Sequence, residues 1–355
     1  MTVLAAALPA QSVVSPPHFT SVEGNAWLGH VASTSSARVL QVHDDLKGVP
    51  RTVRSIAFRR DNWSSPQSNG AGEHAAFVIL ADLWCSTAGV SAASMNPTFD
   101  ANHGFDKALV ASAKQFQFPA APHHLMPSAF SYALPFDRPF AYTGSAGLCW
   151  ELVIRGRNNL VGYRLDAVSG ASAYPGPVTW QTTGGCRATG EVWPMELTAN
   201  GSTVNWTTNS GDIVYSGRYL PKSSVVGLGL GLSATSWNSI PLPLPIPGSA
   251  TAPSGFCQVA NDWSVIVPVL TTGSGTCSAR FPAVAVSHGM TIFGQLFAID
   301  PAANAFGLVM SGGEELQVIG PWNAPHVGRV DAFGTPSSGT AASYPLASCL
   351  VSRFD

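Results

Sequence analysis

The chain is predicted to be all-β, built as two jelly-roll-like β-sandwich domains with little helix. Three observations predict it: short apolar runs with a period of two, turn residues between them, and a length suited to two cores. Gly and Pro, 35 and 27 of the 355 residues, punctuate the chain every few positions. That leaves little uninterrupted length for a helix and enough for strands of about five or six residues. A domain usually runs to roughly 100–200 residues, so 355 residues make two the natural number.

The first strand-like runs are Val39 to His43, Thr52 to Arg60 and Ala75 to Leu83. Within the second, Arg54, Ile56 and Phe58 alternate with Val53, Ser55 and Ala57, the pattern of a strand whose two faces differ. Lys114 to Phe118, Cys149 to Arg155 and Tyr163 to Val168 continue the series. In Glu151-Leu152-Val153-Ile154-Arg155 the charged ends suggest a strand emerging at both rims of a core. Phe105 to Ala113 has weak helical spacing and is read as a short surface helix.

The second half repeats the grammar at Thr203 to Thr207, Asp212 to Tyr219, Val225 to Leu232, Trp263 to Leu270, Thr291 to Asp300, Ala305 to Met310 and Leu316 to Ile319. In Gly227-Leu228-Gly229-Leu230-Gly231-Leu232 the leucines pack on one face while the glycines admit another surface on the other. Pro241, Pro243, Pro245 and Pro247 cannot donate ladder hydrogen bonds and mark an edge or connection. A Ser, Gly, Pro and Thr-rich stretch makes 171–187 the junction between domains at 18–170 and 188–355. Residues 1–17 read as the remnant of a signal peptide or as a disordered tail, to be left out of the fold.

Charged residues make up 11% of the chain, against a usual share of about 25%, so uncharged polar groups must cover the surface. With a net charge of -2 and scattered Lys and Arg, no basic footprint for nucleic acid exists. No apolar run approaches the roughly 18–20 residues of a membrane span. Six widely spaced cysteines without a Cys-x-x-Cys pair favour disulfides, hence a secreted, extracellular or cell-surface location. About 15 connectivities are open; proximity and domain logic favour Cys85 with Cys149, Cys257 with Cys277, and Cys186 with Cys349.

Gly-x-Ser-x-Gly, Ser-x-x-Lys and His-Glu-x-x-His are all absent, and no catalytic residue is assigned. Asp82, Glu151 and Asp166 are the carboxylates that a polysaccharide hydrolase could use, with salt bridges to Arg59, Arg155 or Arg164 as the plainer expectation. Asp137 and Arg138 are expected to pair locally. His43 with Asp44 and Asp45, His103, His123 and His124 are the residues of metal-binding type in the first domain, and solvent-facing loop histidines are the plainer reading. Calcium is the one cofactor considered, on the closely spaced Asp100, Asn102 and Asp106, where capping or turn formation is the plainer reading.

Ten tryptophans are many. Trp63, Trp180, Trp193, Trp206, Trp237 and Trp322 stand beside Asn, Ser, Thr, Gln or Pro in loop-like sequence, where an exposed indole can stack on a sugar or anchor a protein. The site expectation rests on Trp63, Trp180, Trp206, Trp237 and Trp322. The functional expectation is a noncatalytic secreted or cell-surface protein that binds glycan or envelope components or self-associates. A carboxylate-dependent hydrolase and a filament or sheath subunit are the rival expectations.

The segments Ile56-Ala57-Phe58-Arg59-Arg60-Asp61, Phe99-Asp100-Ala101-Asn102 and Leu134-Pro135-Phe136-Asp137-Arg138-Pro139-Phe140 resemble a group of uncharacterised secreted two-domain β-sandwich proteins of planctomycete-type bacteria. In the second half Gly229 to Ser233, Gln295-Leu296-Phe297-Ala298-Ile299-Asp300-Pro301 and Gly307-Leu308-Val309-Met310-Ser311 carry the likeness. The resemblance covers most of the chain beyond residue 35 and implies secretion and β-architecture. It implies no activity, and the chain departs from it in a long insertion around Pro119 to Met126.

Overall fold

A computed structural model describes residues 12–355 except 25, 29–33, 62–74, 121–126, 159–163, 170–177, 182–184, 206–209, 247–256, 319–326, 335, 342 and 347. Its strands are β1 (Val13–Ser15), β2 (Ala26–Leu28), β3 (Ala37–His43), β4 (Arg51–Phe58), β5 (Phe77–Thr87), β6 (Ala108–Phe118), β7 (Tyr132–Tyr142), β8 (Leu148–Arg157) and β9 (Leu165–Ser169). There follow β10 (Val178–Gln181), β11 (Glu196–Asn205), β12 (Ser210–Arg218), β13 (Val225–Gly231), β14 (Ser236–Trp237), β15 (Ile240–Pro241), β16 (Leu244–Pro245), β17 (Gln258–Val259) and β18 (Val265–Leu270). The last are β19 (Cys277–Pro282), β20 (Thr291–Ile299), β21 (Leu308–Met310), β22 (Glu314–Gln317), β23 (Val327–Phe333), β24 (Ser343–Leu346), β25 (Ser348–Leu350) and β26 (Ser352–Phe354). Helix among the described residues is confined to 3-10 turns of three or four residues. The fold is all-β, with the sheets of each unit packed as a sandwich.

Two compact units divide the strands: β1–β9 with β23–β26, and β10–β22. In the first, a six-stranded sheet, β24-β23-β3-β8-β5-β6, faces a four-stranded sheet, β1-β26-β4-β7. Val39, Ile79, Leu83, Trp150, Leu152 and Ile154 pack from one side against Ile56, Phe58, Tyr132, Leu134 and Phe354 from the other. Each such buried side chain contributes roughly 1.5–3 kcal/mol. The outer face of the larger sheet is covered too, for Leu40, Val42 and Cys149 lie under Met95 and Phe99. β8 therefore sits between two cores, which explains its almost unbroken apolar run.

The second unit packs the sheet β10-β22-β20-β13-β18 against β11-β12-β19 around Leu228, Leu296, Leu316, Ile213 and Tyr215. The expected two-faced reading of β13 holds. Leu228 is in the core, while a Cβ on Gly227 would meet the Phe297 ring at 2.2 Å, on Gly229 the Trp263 ring at 2.5 Å, and on Gly231 the Asp262 carboxylate at 1.8 Å.

Several expectations are corrected. The end of the chain does not belong to the second half, because β23 pairs with β3, β25 with β9 and β26 with β4. β10 lies inside the expected junction yet pairs with β22. Residues 1–11 of the expected leader lie outside the described residues, but Val13–Ser15 pairs with Phe354 to Ser352 and is part of the sheet. The stretch read as a surface helix opens instead into β6, paired with β5 over eleven residues, since a β-sheet neighbour outweighs weak helical spacing.

The disulfide pairing also differs: Cys186 joins Cys257, and Cys85, Cys149, Cys277 and Cys349 are thiols. Cys85 and Cys149 lie on neighbouring strands but one residue out of register, Cys85 opposite Trp150 and Cys149 opposite Ser86. Their side chains therefore enter opposite faces of the sheet, one in each core. Cys349 belongs to the first unit, where β25 pairs with β9, whereas Cys186 belongs to the second. Cys277 lies on β19 opposite Gly217 rather than at Cys257.

Candidate functional site

The polar residues flagged in the first unit are drawn into its interior. β8 places Glu151 opposite Leu40 and Trp84 in mid-sheet, buried, and not at a rim as expected. There Oε1 accepts from Arg38 Nε at 2.5 Å, and Oε2 lies 2.7 Å from His103 Nε2 and 3.3 Å from Lys107 Nζ. The partners hold its carboxyl down at about 2 against the opposing cost of burial, which is the largest influence. His103 Nδ1 is in turn 2.8 Å from Ser86 Oγ. The order of contacts, hydroxyl to imidazole to carboxylate, is that of a serine-hydrolase triad. Ser86 is completely buried, however, so no substrate carbonyl reaches Oγ, and the chain pins the segment Gly89 to Lys107 onto the sheet.

His43 lies on the inner face. Trp150 Nε1 donates to its Nε2 at 2.9 Å, which leaves the proton on Nδ1, 2.6 Å from Ser15 Oγ; the Ser15 hydroxyl donates to Asp45 at 2.7 Å. Burial depresses the His43 pKa to about 3, so it is a neutral core residue and not the loop histidine expected. It is separated from His103 by the sheet, and His123 and His124 lie outside the described residues.

The other carboxylates are equally committed. Asp82 takes Arg155, and Asp166 takes Arg59 Nε at 2.5 Å and Gly24 N at 2.7 Å, the two salt bridges foreseen. Asp137 pairs with Lys114 at 2.7 Å rather than with Arg138, whose Nε donates to Leu109 O. Asp100, Asn102 and Asp106 do not converge on a common point. Asp100 receives Lys107, Asp106 accepts from Thr87 N and Oγ1, and Asn102 is bonded to Asn96, Thr98 and Phe99. Sequence reading missed a buried trio, Glu23, Asp61 and Asp166, whose carboxylate oxygens lie within 4.8 Å of one another. Burial raises the Asp166 pKa. No spacing could have announced it, since the three come from distant segments.

The second unit carries its chemistry outward. The loop from Cys186 to Met195 is closed at its base by Met195 N donating to Cys186 O at 2.9 Å and is tied down by the Cys186–Cys257 disulfide. Asp300 accepts from Thr189 N at 2.6 Å and from Thr189 Oγ1 at 2.8 Å. The loop thereby presents Trp193, 60% exposed, in a fixed position. Its ring centroid is 6.5 Å from that of Tyr219, which sits in the left-handed region at φ 59°. Arg218 lies 5.3 Å over the Tyr219 ring and is bonded to Glu196, its cross-strand partner.

Trp237, on the β14–β15 hairpin, packs at 5.7 Å against Trp263, which stacks on Phe297 at 4.4 Å. Trp180 lies on β10, whose side chains are outside the described set, as are Trp63, Trp206 and Trp322. The aromatic pair Trp193–Tyr219 was only half legible: Trp193 was flagged by its loop-like neighbours, but nothing local marked Tyr219. No protein-family model, curated protein or solved structure matches the chain.

Proposed function

We propose that the protein is a noncatalytic binding protein that works outside the cytoplasm and holds a neutral glycan on its second unit, across Trp193 and Tyr219. The observation that carries this reading is an indole 60% exposed on a loop fixed by a disulfide. Desolvating such a ring against the apolar face of a sugar gains contact energy at little entropic cost, because the loop is already ordered. Arg218 and Glu196 at its edge supply a donor and an acceptor for hydroxyl groups. An oxidised pair, Cys186–Cys257, suits an extracellular setting, and no helix among the described residues is long and apolar enough to cross a membrane.

The test is a glycan array, with and without calcium, on the intact protein and on Trp193→Ala. We expect binding by the intact chain and a loss of about tenfold or more in the variant, a factor of ten being about 1.4 kcal/mol. An intact protein that binds no glycan on the array refutes the reading.

Self-association is the second reading, favoured by the exposed Val225, Ile266, Leu270 and Ile299 on β13, β18 and β20. Val225 and Leu270 are direct cross-strand partners, so these two exposed positions adjoin, and Ile266 lies on the same strand as Leu270. Contiguous apolar surface marks an interface more often than scattered residues do. Pro268, in mid-strand on the edge strand β18, has no N–H to offer an added strand, so the contact would be through the sheet face. Sedimentation of the intact protein beside Leu270→Lys distinguishes an assembling chain from a monomer.

A further inference from the structure

We infer that the second unit contains another, lidded site for a small neutral polyhydroxyl ligand, formed by Trp263 and Asn261 beneath the β14–β15 hairpin. It does not depend on the Trp193 platform. The segment around Gln258 to Trp263 is fastened across the glycine face of β13. Gln295 accepts from Ala260 N at 2.9 Å and donates to Gln258 O at 2.7 Å. Asn261, 1% exposed, donates through Nδ2 to Gly229 O at 3.3 Å and Phe293 O at 3.0 Å. Both contacts need the amide nitrogen, so the orientation of the amide is settled and Oδ1 is left over. That oxygen is buried and has no hydrogen-bond partner.

Trp263 Nε1 is a second such atom, a buried donor with no acceptor. Both side chains converge on Gly229: a Cβ there would be 2.8 Å from the indole nitrogen, and the same residue's carbonyl receives Asn261. A buried orphan polar atom costs roughly 1–3 kcal/mol, and natural folds keep few without a purpose. Trp263 also holds φ at 31°, a strained backbone for an indole residue. One unmatched N–H and one unmatched C=O call for a group that both accepts and donates, which is a hydroxyl. The nearby carboxylate, Asp262, is already taken by Ser233 N and Ser264 Oγ, so the ligand is neutral. The rings of Trp237, Trp263 and Phe297 provide the apolar wall that a sugar or similar polyol needs.

Because both orphan atoms are shut off from solvent, the site opens only when its cover moves. The cover is the hairpin carrying Trp237, whose strands are two residues each and pair only with one another. Its turn residues Asn238 and Ser239 both have positive φ, a tight two-residue turn that closes the hairpin on itself rather than on a neighbouring sheet.

The experiment uses the full chain with Trp193→Ala, so that failure of the platform reading cannot be confused with failure here. Glucose, galactose, mannose and N-acetylglucosamine are titrated to about 100 mM, the range of weak single-site binding, while the Trp263 indole N–H is followed by NMR. At least one sugar is expected to shift that signal saturably and to slow exchange of the Leu242 amide, which donates to Thr235 O beside the hairpin. Trp263→Phe keeps the ring on Phe297 but loses the donor, and should weaken binding by about tenfold, the worth of one hydrogen bond. A signal unmoved by all four sugars, or equal affinity in Trp263→Phe, overturns the inference.

Discussion

The two units solve opposite problems with similar strands. Among the described residues the first exposes three large apolar side chains, Val49, Leu80 and Phe105, and the second fourteen. The first instead buries charge: Arg59, Asp82, His103, Glu151, Asp166 and Arg329 all lie in its interior. Buried charge organises a core at the expense of availability, whereas exposed aromatic and apolar groups are available and cost nothing in electrostatics. The difference teaches that the histidines and carboxylates, which attract attention in a sequence, work as internal fastenings here. The functional surface is to be sought in the half with few of them.

The most damaging way to challenge that contrast is to unpair a buried charge. Arg59→Met removes the guanidinium from Asp166 and from Val22 O, leaving a carboxylate inside a cluster of two others. The expected loss is about 3–5 kcal/mol of unfolding free energy, measured by urea denaturation. A loss under about 1 kcal/mol, the scale of an exposed ion pair, would mean that the first unit's interior charges are not its fastenings.

The second unit depends on a covalent tie in the place of such networks. Cys186→Ser opens a bridge between residues 71 apart, and constraint of the unfolded chain makes that worth about 2–4 kcal/mol. Hydrogen exchange resolved by segment should show faster exchange in β11, β12, β20 and β22 with β3, β5 and β8 unchanged. Equal acceleration in both sets would show the two units to be one cooperative body and the contrast to be superficial.

How much of this was readable beforehand follows the range of the interactions. β13 was legible down to the function of each face, because leucine and glycine alternate within seven residues. The salt bridges of Asp82 and Asp166 were foreseen because charged strand residues seek partners. Glu151 was misplaced at a rim because nothing in its own strand reveals that the segment around Met95 and Phe99 covers the outer face. The expected Cys186–Cys349 pair and the unit boundary failed for one shared reason: the chain leaves the first unit and comes back, and residues 327–355 carry no mark of which half they will rejoin. Cys85 and Cys149 failed on a one-residue register that spacing does not reveal. Trp263 and Asn261 were overlooked as a site because an orphan hydrogen-bonding atom exists only once everything around it is in place.

Acid should separate the units without any mutation. His43 has its pKa lowered by burial from 6.5 to about 3, so the unfolded chain takes up a proton that the folded one refuses. Its contribution is complete above pH 6.5 and is lost as the pH falls toward 3, at up to about 1.4 kcal/mol per pH unit. Glu151, held at about 2 against an ordinary 4.5, adds a loss in the same direction below pH 4.5. Urea midpoints at pH 7.5 and pH 5 should therefore fall for the first unit. His43→Gln, which keeps a side chain able to accept from Trp150, should flatten the fall between those two values.

The smallest expected effect on stability is the most informative about function. Trp193 packs at 6.5 Å against Tyr219 and is 60% exposed, so Trp193→Ala should change unfolding free energy by no more than about 0.5 kcal/mol. A residue retained for the fold could not be removed so cheaply, and one retained for binding could. If Trp193→Ala instead destabilises the second unit by about 2 kcal/mol or more, the indole is part of the scaffold. The exposed apolar surface on β13, β18 and β20 then becomes the better place to look for what the protein touches.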